Sequence, residues 1–244
     1  MSKRAHGSDS RDRRCRSRVG ESIARTFATH GCNVALFARS GDYIEDLAEN
    51  LPDPGDGLAV PTDLRDVAAI ESGFETVRDA YGGVDILVNH ASAAAWKGLT
   101  DISLEEFERA WEVNGRGAFV CSREAVDDMR TTGGGTIIFT GATSAVRSLG
   151  GTIGFTAAKF AARGMAMDIA QEFGPDGIHV AHVVLDGQID TPDRRARNED
   201  RDDETLLDPD AIADTYWHLV EQDDRSTQPF EVQITNGPQN TEFM

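Results

Sequence analysis

Lysine is scarce in this 244-residue chain, and the three present, Lys3, Lys97 and Lys159, are few enough for each position to carry meaning. Lys159 lies near the start of an Ala-rich stretch with helical spacing, where a lysine ordinarily snorkels along the surface. The scarcity favours a place in a site instead. Thr143 and Ser144 offer hydroxyls just after an apolar strand pattern. Near its solution pKa a hydroxyl is a poor proton donor at neutral pH, and a hydrogen bond to nearby backbone is its simpler use. The six histidines form no ligand set: His179 and His182, three apart on a strand pattern, point to opposite faces, and His90 is expected to pack beside a cleft. Cys15, Cys32 and Cys121 have neither disulfide-framework pairing nor zinc spacing, so inert thiols, a reducing cytosol and no metal site are expected.

The elements that must position these residues alternate along the chain. Ile23, Ala24, Phe27 and Ala28 recur at helical spacing, Asn33 to Ala38 reads as a buried strand, and a helix comes next from Tyr43 to Asn50. Leu58 to Pro61 reads as strand, Val67 to Tyr81 as helix and Asp85 to Asn89 as strand. Ser103 with Glu106 makes a capping box opening a long helix expected to carry Phe107, Trp111 and Phe119 inward. Strand Gly135 to Thr140, helix Phe155 to Phe173 and strand Ile178 to Leu185 come next. The acidic stretch Asp193 to Asp208 reads as an exposed excursion, then Asp208 and Pro209 open a helix and Phe230 to Ile234 closes the pattern as a strand. Such alternation predicts a doubly wound, Rossmann-like α/β domain over residues 19–244 with a mostly parallel sheet.

The order departs from that fold at its start, because a helix stands where a strand should come first. Residues 1–18 hold seven Lys or Arg, two Asp and no large aliphatic or aromatic residue beyond Met1, so they lack the apolar run of a central parallel strand. They read as a basic, disordered segment of about +5, or as misassigned coding sequence. The whole chain carries a net charge of -18, which disfavours nucleic acid and suits a salty cytoplasm. No apolar run approaches the roughly 20 residues of a membrane span, and none at the start serves as a signal peptide.

Four segments, in order, carry a resemblance: Asn89-His90-Ala91-Ser92 ending a strand, Val113-Asn114-Gly115-Arg116-Gly117-Ala118-Phe119 in a helix, Phe155-Thr156-Ala157-Ala158-Lys159 opening a helix, and Asp186-Gly187-Gln188-Ile189-Asp190-Thr191 after a strand. Together they resemble the short-chain dehydrogenase/reductase family over roughly residues 19–235. That family's glycine-rich loop reads Thr-Gly-x-x-x-Gly-x-Gly. This chain keeps Val19-Gly20 of it, with Arg18 at or beside the place of the middle glycine. An Arg can neutralise phosphate while obstructing the close approach that glycine permits.

The resemblance implies that Asp63 contacts adenine, that Asn89 buttresses the adenine-side strand, and that Ala91 in the same segment borders the cofactor. Asp63 read alone is equally a turn residue with Arg65 and Asp66. Arg39, closing a strand, implies NADP(H) ahead of NAD(H), because a base there meets the 2′-phosphate. Gly187, Ile189 and Thr191 stand where the family meets the carboxamide and pyrophosphate side, although Asp186-Gly187 replaces its Pro-Gly. Of the family's catalytic set, Asn114 and Lys159 are present. Phe155 stands at the Tyr position, four before Lys159, and Ala142 at the Ser position, with Ser144 near enough to lend a hydroxyl.

As a whole the resemblance implies an NAD(P)-dependent oxidoreductase of a small carbonyl or alcohol, assembled as a homo-oligomer through its long helices. Phe155 and Ala142 imply weakened activity, since the family's Tyr gives or takes the proton and its Ser steadies the substrate oxygen. Two other readings stay open: a non-catalytic binding or oligomer-partner protein of the same fold, and a damaged or misread chain.

Overall fold

Mostly apolar runs become parallel strands covered on both faces, and six parallel strands, of which the last alternates polar and apolar residues, form among the described residues, 18–191, 206–222 and 224–236 of a computed structural model. Residues 1–17 and most of the acidic stretch, 192–205, lie outside the described residues, and so do the expectations made for them. In chain order come α1 (Val19–Thr29), β1 (Val34–Ala38), α2 (Gly41–Glu49), β2 (Gly57–Pro61), α3 (Val67–Tyr81), β3 (Ile86–Asn89), α4 (Leu104–Trp111), a π turn (Glu112–Gly117) and α5 (Ala118–Thr132). Next come β4 (Gly135–Ala142), α6 (Ile153–Phe173), β5 (Ile178–Asp186), α7 (Pro209–Val220) and β6 (Glu231–Thr235).

All strand pairs are parallel, but they form two groups. β1 pairs with β2, and β3-β4-β5-β6 make a four-stranded sheet. β1 and β3 do not pair, and among the described residues no strand precedes α1. Helices cover both faces. Phe74, Ala125, Met129, Ile137, Phe139 and Ala162 pack on one side, and Ile23, Phe27, Ile138, Val183, Ile212 and Tyr216 on the other.

Local signals set several helix starts. The Ser103 hydroxyl accepts from the Glu106 amide at 3.2 Å and the Glu106 carboxylate accepts from the Ser103 amide at 3.0 Å, the capping box expected from sequence. Asp66 caps α3 and Asp208 caps α7. The long helix after Ser103 is interrupted where Asn114 sits: the turn Glu112–Gly117 is π-helical. Gly117 is required there, since a Cβ would lie 2.8 Å from the Leu64 carbonyl oxygen.

The expectation that Phe107, Trp111 and Phe119 point inward is wrong; they are 36%, 45% and 50% exposed. Small residues face the sheet instead, with Ala110, Ala118, Cys121 and Ala125 all buried. Both faces of this stretch carry apolar residues, so helical spacing alone does not say which of them is buried.

Met129 is wholly buried between α5 and the sheet. Met129→Ala should therefore lower the unfolding free energy by about 2–5 kcal/mol, read as a lower urea midpoint at unchanged slope in high salt.

Candidate functional site

A cavity of about 1050 Å³ opens along the C-terminal ends of β1 and β3, reaching the first turn of α1 and the π turn. Arg18, Gly20, Arg39 and Asp63 are among the residues that line it, and so are Asn89, Ala91, Asn114 and Lys159. Ala142, Ser144, Phe155, Gly187, Ile189 and Thr191 are not among the residues that line it.

Lys159 is placed by α6 and buried to 4% exposure, with Nζ donating to the Thr140 carbonyl at 2.8 Å. Burial pushes its ammonium down to about 8. The ammonium lies 5.7 Å from the centroid of the Phe155 ring, which in turn meets Trp96 at 5.5 Å. Phe155 thus fills an apolar place one helical turn before the lysine, with no hydroxyl to share a proton. Asn114 Nδ2 donates to the carbonyls of Ala93 at 2.7 Å and Ala110 at 2.8 Å. Its buried Oδ1 accepts nothing from the described residues. A buried acceptor without a partner, on a residue that lines a cavity, is one that a ligand or water donor would satisfy.

His90 packs beside the cleft as the sequence suggests. Burial, and secondarily the charge on Lys159, push its imidazole down to about 4, so it is neutral near pH 7. Its Nδ1 lies 3.2 Å from the Thr140 hydroxyl, which lies 2.8 Å from the buried Tyr216 hydroxyl. Gly20 is pressed against this ring: a Cβ there would meet His90 Cδ2 at 3.2 Å. Asn89 donates to the Ser122 hydroxyl at 3.0 Å.

Asp63 is occupied by Arg65, whose side chain reaches its two oxygens at 2.6–3.1 Å and whose amide adds a bond of 3.0 Å. The Arg65 hydrogen bonds hold its carboxyl at about 2. Arg39 is exposed and makes no ion pair with the described residues. The guanidinium of Arg18, the residue before α1, lies 5.7 Å over the Tyr43 ring.

Ser144 is 1% exposed in the short turn after β4. Thr143 donates to Asp186 at 2.7 Å. Asp186 also accepts from Arg147 at 2.9 and 3.0 Å and from Gln233 at 2.6 Å. Burial raises its pKa, but the bonds from Thr143, Gln233 and Arg147 outweigh that and the net shift is downward. Sequence reasoning noted Asp186 only as a departure from Pro-Gly and missed its partner. An acid ending an apolar strand, with an arginine after a hydroxyl-rich turn, was the available signal. Gly187 leaves room for Leu207, whose Cγ would lie 3.1 Å from a Cβ, and Ile189 bridges to the same residue.

A parallel sheet wrapped by helices on both faces, with its cleft at the strand ends, defines a Rossmann-like α/β protein. The chain belongs to the short-chain dehydrogenase/reductase family: the family model for short chain dehydrogenase matches residues 15–202. It is 34% identical over 177 residues to an uncharacterized short-chain type dehydrogenase/reductase of Sinorhizobium fredii, covering 71% of this chain and 70% of that one. In fold it is similar to the L-sorbose reductase of Gluconobacter frateurii solved with NADPH and L-sorbose, with TM-score 0.82, 24% identity and 92% and 93% of the two chains covered. It is also similar to the 3-ketoacyl-(acyl-carrier-protein) reductase of Brucella melitensis solved with NADH, with TM-score 0.78, 25% identity and 90% and 93% covered. Among the described residues no cluster of three or more His, Cys, Asp or Glu could hold a metal, and no helix is long and apolar enough to cross a membrane.

The buried ammonium gives a pH prediction. Folding depresses the Lys159 pKa from 10.5 to about 8, so between those values the unfolded chain binds more protons than the folded one. Stability relative to Lys159→Met should rise with pH across that window and be least favourable below it. In protein labelled at lysine, the signal that Lys159→Met removes should titrate near pH 8. Titration near the ordinary lysine value would contradict the buried setting.

Proposed function

We propose that this protein binds a nicotinamide dinucleotide, NADP(H) ahead of NAD(H), and acts as an oxidoreductase on a small carbonyl or alcohol with a slow proton step. The observation that carries the reading is one cleft shared by buried Lys159, Asn114 with its unpartnered Oδ1, Gly20 at the start of a helix, and exposed Arg39, which makes no ion pair with the described residues. These residues suit the cofactor: α1 offers its first amides where Gly20 keeps the approach narrow, and Arg39 suits a 2′-phosphate. Arg18 would add charge beside the phosphates, Asp63 and Asn89 would border the adenosine half, and Ala91 the ribose side. Gly187, Ile189 and Thr191 would close the far side.

When bound, the dinucleotide supplies or accepts the hydride. Reduction also needs a proton on the substrate oxygen, and here the chain is poor in donors. Phe155 has none, Ala142 has none, and Ser144 is buried away from the cleft. Lys159 can hold a ribose hydroxyl, and Asn114 Oδ1 can hold a water between itself and the lysine, which leaves a water-borne proton as the donor. Loss of a positioned general acid is worth about 10²–10⁴-fold and loss of one oxyanion donor about 10²–10³-fold. Acting on one oxygen, the two should not multiply.

The same two residues favour a second reading, in which the protein binds the dinucleotide or assembles with copies of itself without turnover. Exposed Trp111, Phe119, Phe160 and Met167 on the long helices support assembly. Unpaired Cys32 and Cys121 are consistent with a cytoplasmic setting.

Calorimetric titration in high salt should show NADPH binding more tightly than NADH, with Arg39→Asp reversing the order; equal affinities would refute the preference. With saturating NADPH and a panel of small carbonyls, turnover should be slow or absent and should rise at least about 10²-fold in Phe155→Tyr combined with Ala142→Ser. Brisk turnover by the unmodified protein would show that another group delivers the proton. Absence of binding by either dinucleotide would remove the oxidoreductase reading and leave self-assembly without turnover and the damaged-chain reading, which sedimentation equilibrium of the chain would separate.

A further inference from the structure

We propose that His90 donates its Nε2–H to a diphosphate oxygen of the dinucleotide, and that a hydrogen-bond chain running inward through Thr140 to Tyr216 holds it in the tautomer that can do so. This inference rests on the dinucleotide reading above and adds to it a binding group of this chain's own. Thr140 Oγ1 lies 2.8 Å from the Tyr216 hydroxyl and 3.2 Å from His90 Nδ1, and neither the Tyr216 hydroxyl nor Nδ1 has another partner among the described residues.

Counting protons gives the direction of both bonds. Tyr216 is 0% exposed, so its hydroxyl proton has one acceptor, Thr140 Oγ1. Thr140 is 6% exposed and has one hydroxyl proton of its own, which goes to the remaining neighbour, Nδ1. In the opposite sense Nδ1–H would donate to Thr140 and Thr140 to Tyr216. That would leave the tyrosine proton buried without an acceptor, which disfavours the arrangement roughly tenfold or more. Burial keeps the imidazole neutral near pH 7, so it carries a single N–H. With Nδ1 accepting, that proton sits on Nε2.

Nε2 has no partner among the described residues, and the ring edge that bears it lies against the start of α1. A Cβ at Gly20 would meet Cδ2 at 3.2 Å and Nε2 at 3.6 Å. Gly20 is the second residue of that helix. Its N-cap residue, Arg18, makes no side-chain cap bond, which leaves the first amides, at the positive end of the helix, to an outside acceptor. His90 and Gly20 both line the cleft. A neutral N–H beside these amides adds a donor for an anionic oxygen, and the diphosphate is the part of a dinucleotide that a helix start receives.

The tautomer is read on the unaltered protein, labelled with nitrogen-15 at histidine, in high salt. The signals that His90→Gln removes should belong to a protonated Nε2 and an unprotonated Nδ1. A protonated Nδ1 would overturn the proposal whatever the cofactor does. The contact is read with ADP, which carries the diphosphate without nicotinamide or 2′-phosphate, and with NADPH. Saturation with ADP should move the Nε2 resonance, a readout that needs no variant; an unmoved resonance would overturn the contact. His90→Leu should weaken ADP and NADPH by the same factor, roughly tenfold or more, whereas His90→Gln, whose side-chain amide restores a donor, should stay within about threefold. Unchanged affinity in His90→Leu, equal loss in His90→Gln, or loss confined to NADPH would overturn the contact and leave dinucleotide binding standing. Absence of binding by the unaltered protein would overturn both.

Discussion

β4 and β5 pair over eight residues, every residue of β5 is buried, and the chemistry-bearing part of the cleft hangs from this ladder. Thr140 near the end of β4 presents the carbonyl that holds Lys159 and the hydroxyl between His90 and Tyr216. Asp186 at the end of β5 gathers Thr143, Arg147 and Gln233, tying the turn after β4 to β6. A slip of one residue in that register would move each of these groups to the opposite face.

The site balances two demands that pull apart. Holding an ammonium as deep as that of Lys159 is unfavourable, and among the described residues it is met by one carbonyl and the face of the Phe155 ring. A phenol in place of that ring would share a proton with the lysine and lower its own pKa in doing so. The phenyl ring preserves the packing against Trp96 and removes the proton. What stays beside the cleft is a buried ammonium held by one carbonyl, with no phenol one helical turn before it.

The divided sheet shows how far the remaining packing holds a fold in which, among the described residues, no strand fills the place between β1 and β3. α1 stays in place because its apolar stripe packs on α7 and on the β4–β5 face, through Ile23, Phe27, Tyr216 and Val183. β1 pairs with β2 alone and β3 with β4 alone, so the edges of these two strands that face each other have no strand partner among the described residues.

Periodicity and caps were enough to place the strands and helices within a residue or two, because a covered parallel strand has to be apolar and a helix start has to satisfy its first amides. The Phe155 and Lys159 spacing, Asn114 and Gly20 were legible for the same reason: each is fixed by local position on its element. Three things required the tertiary structure. The exposure of Phe107, Trp111 and Phe119 was decided by which face α4 and α5 turn to the core, where small residues such as Ala110, Ala118 and Ala125 are buried instead; apolar spacing alone does not distinguish the two faces. The pairing of Asp63 with Arg65 in preference to an open carboxylate was decided by side-chain geometry. The union of Asp186 with Arg147, 39 residues apart, depended on β4 and β5 lying side by side, which brings together charges that the sequence keeps in separate elements.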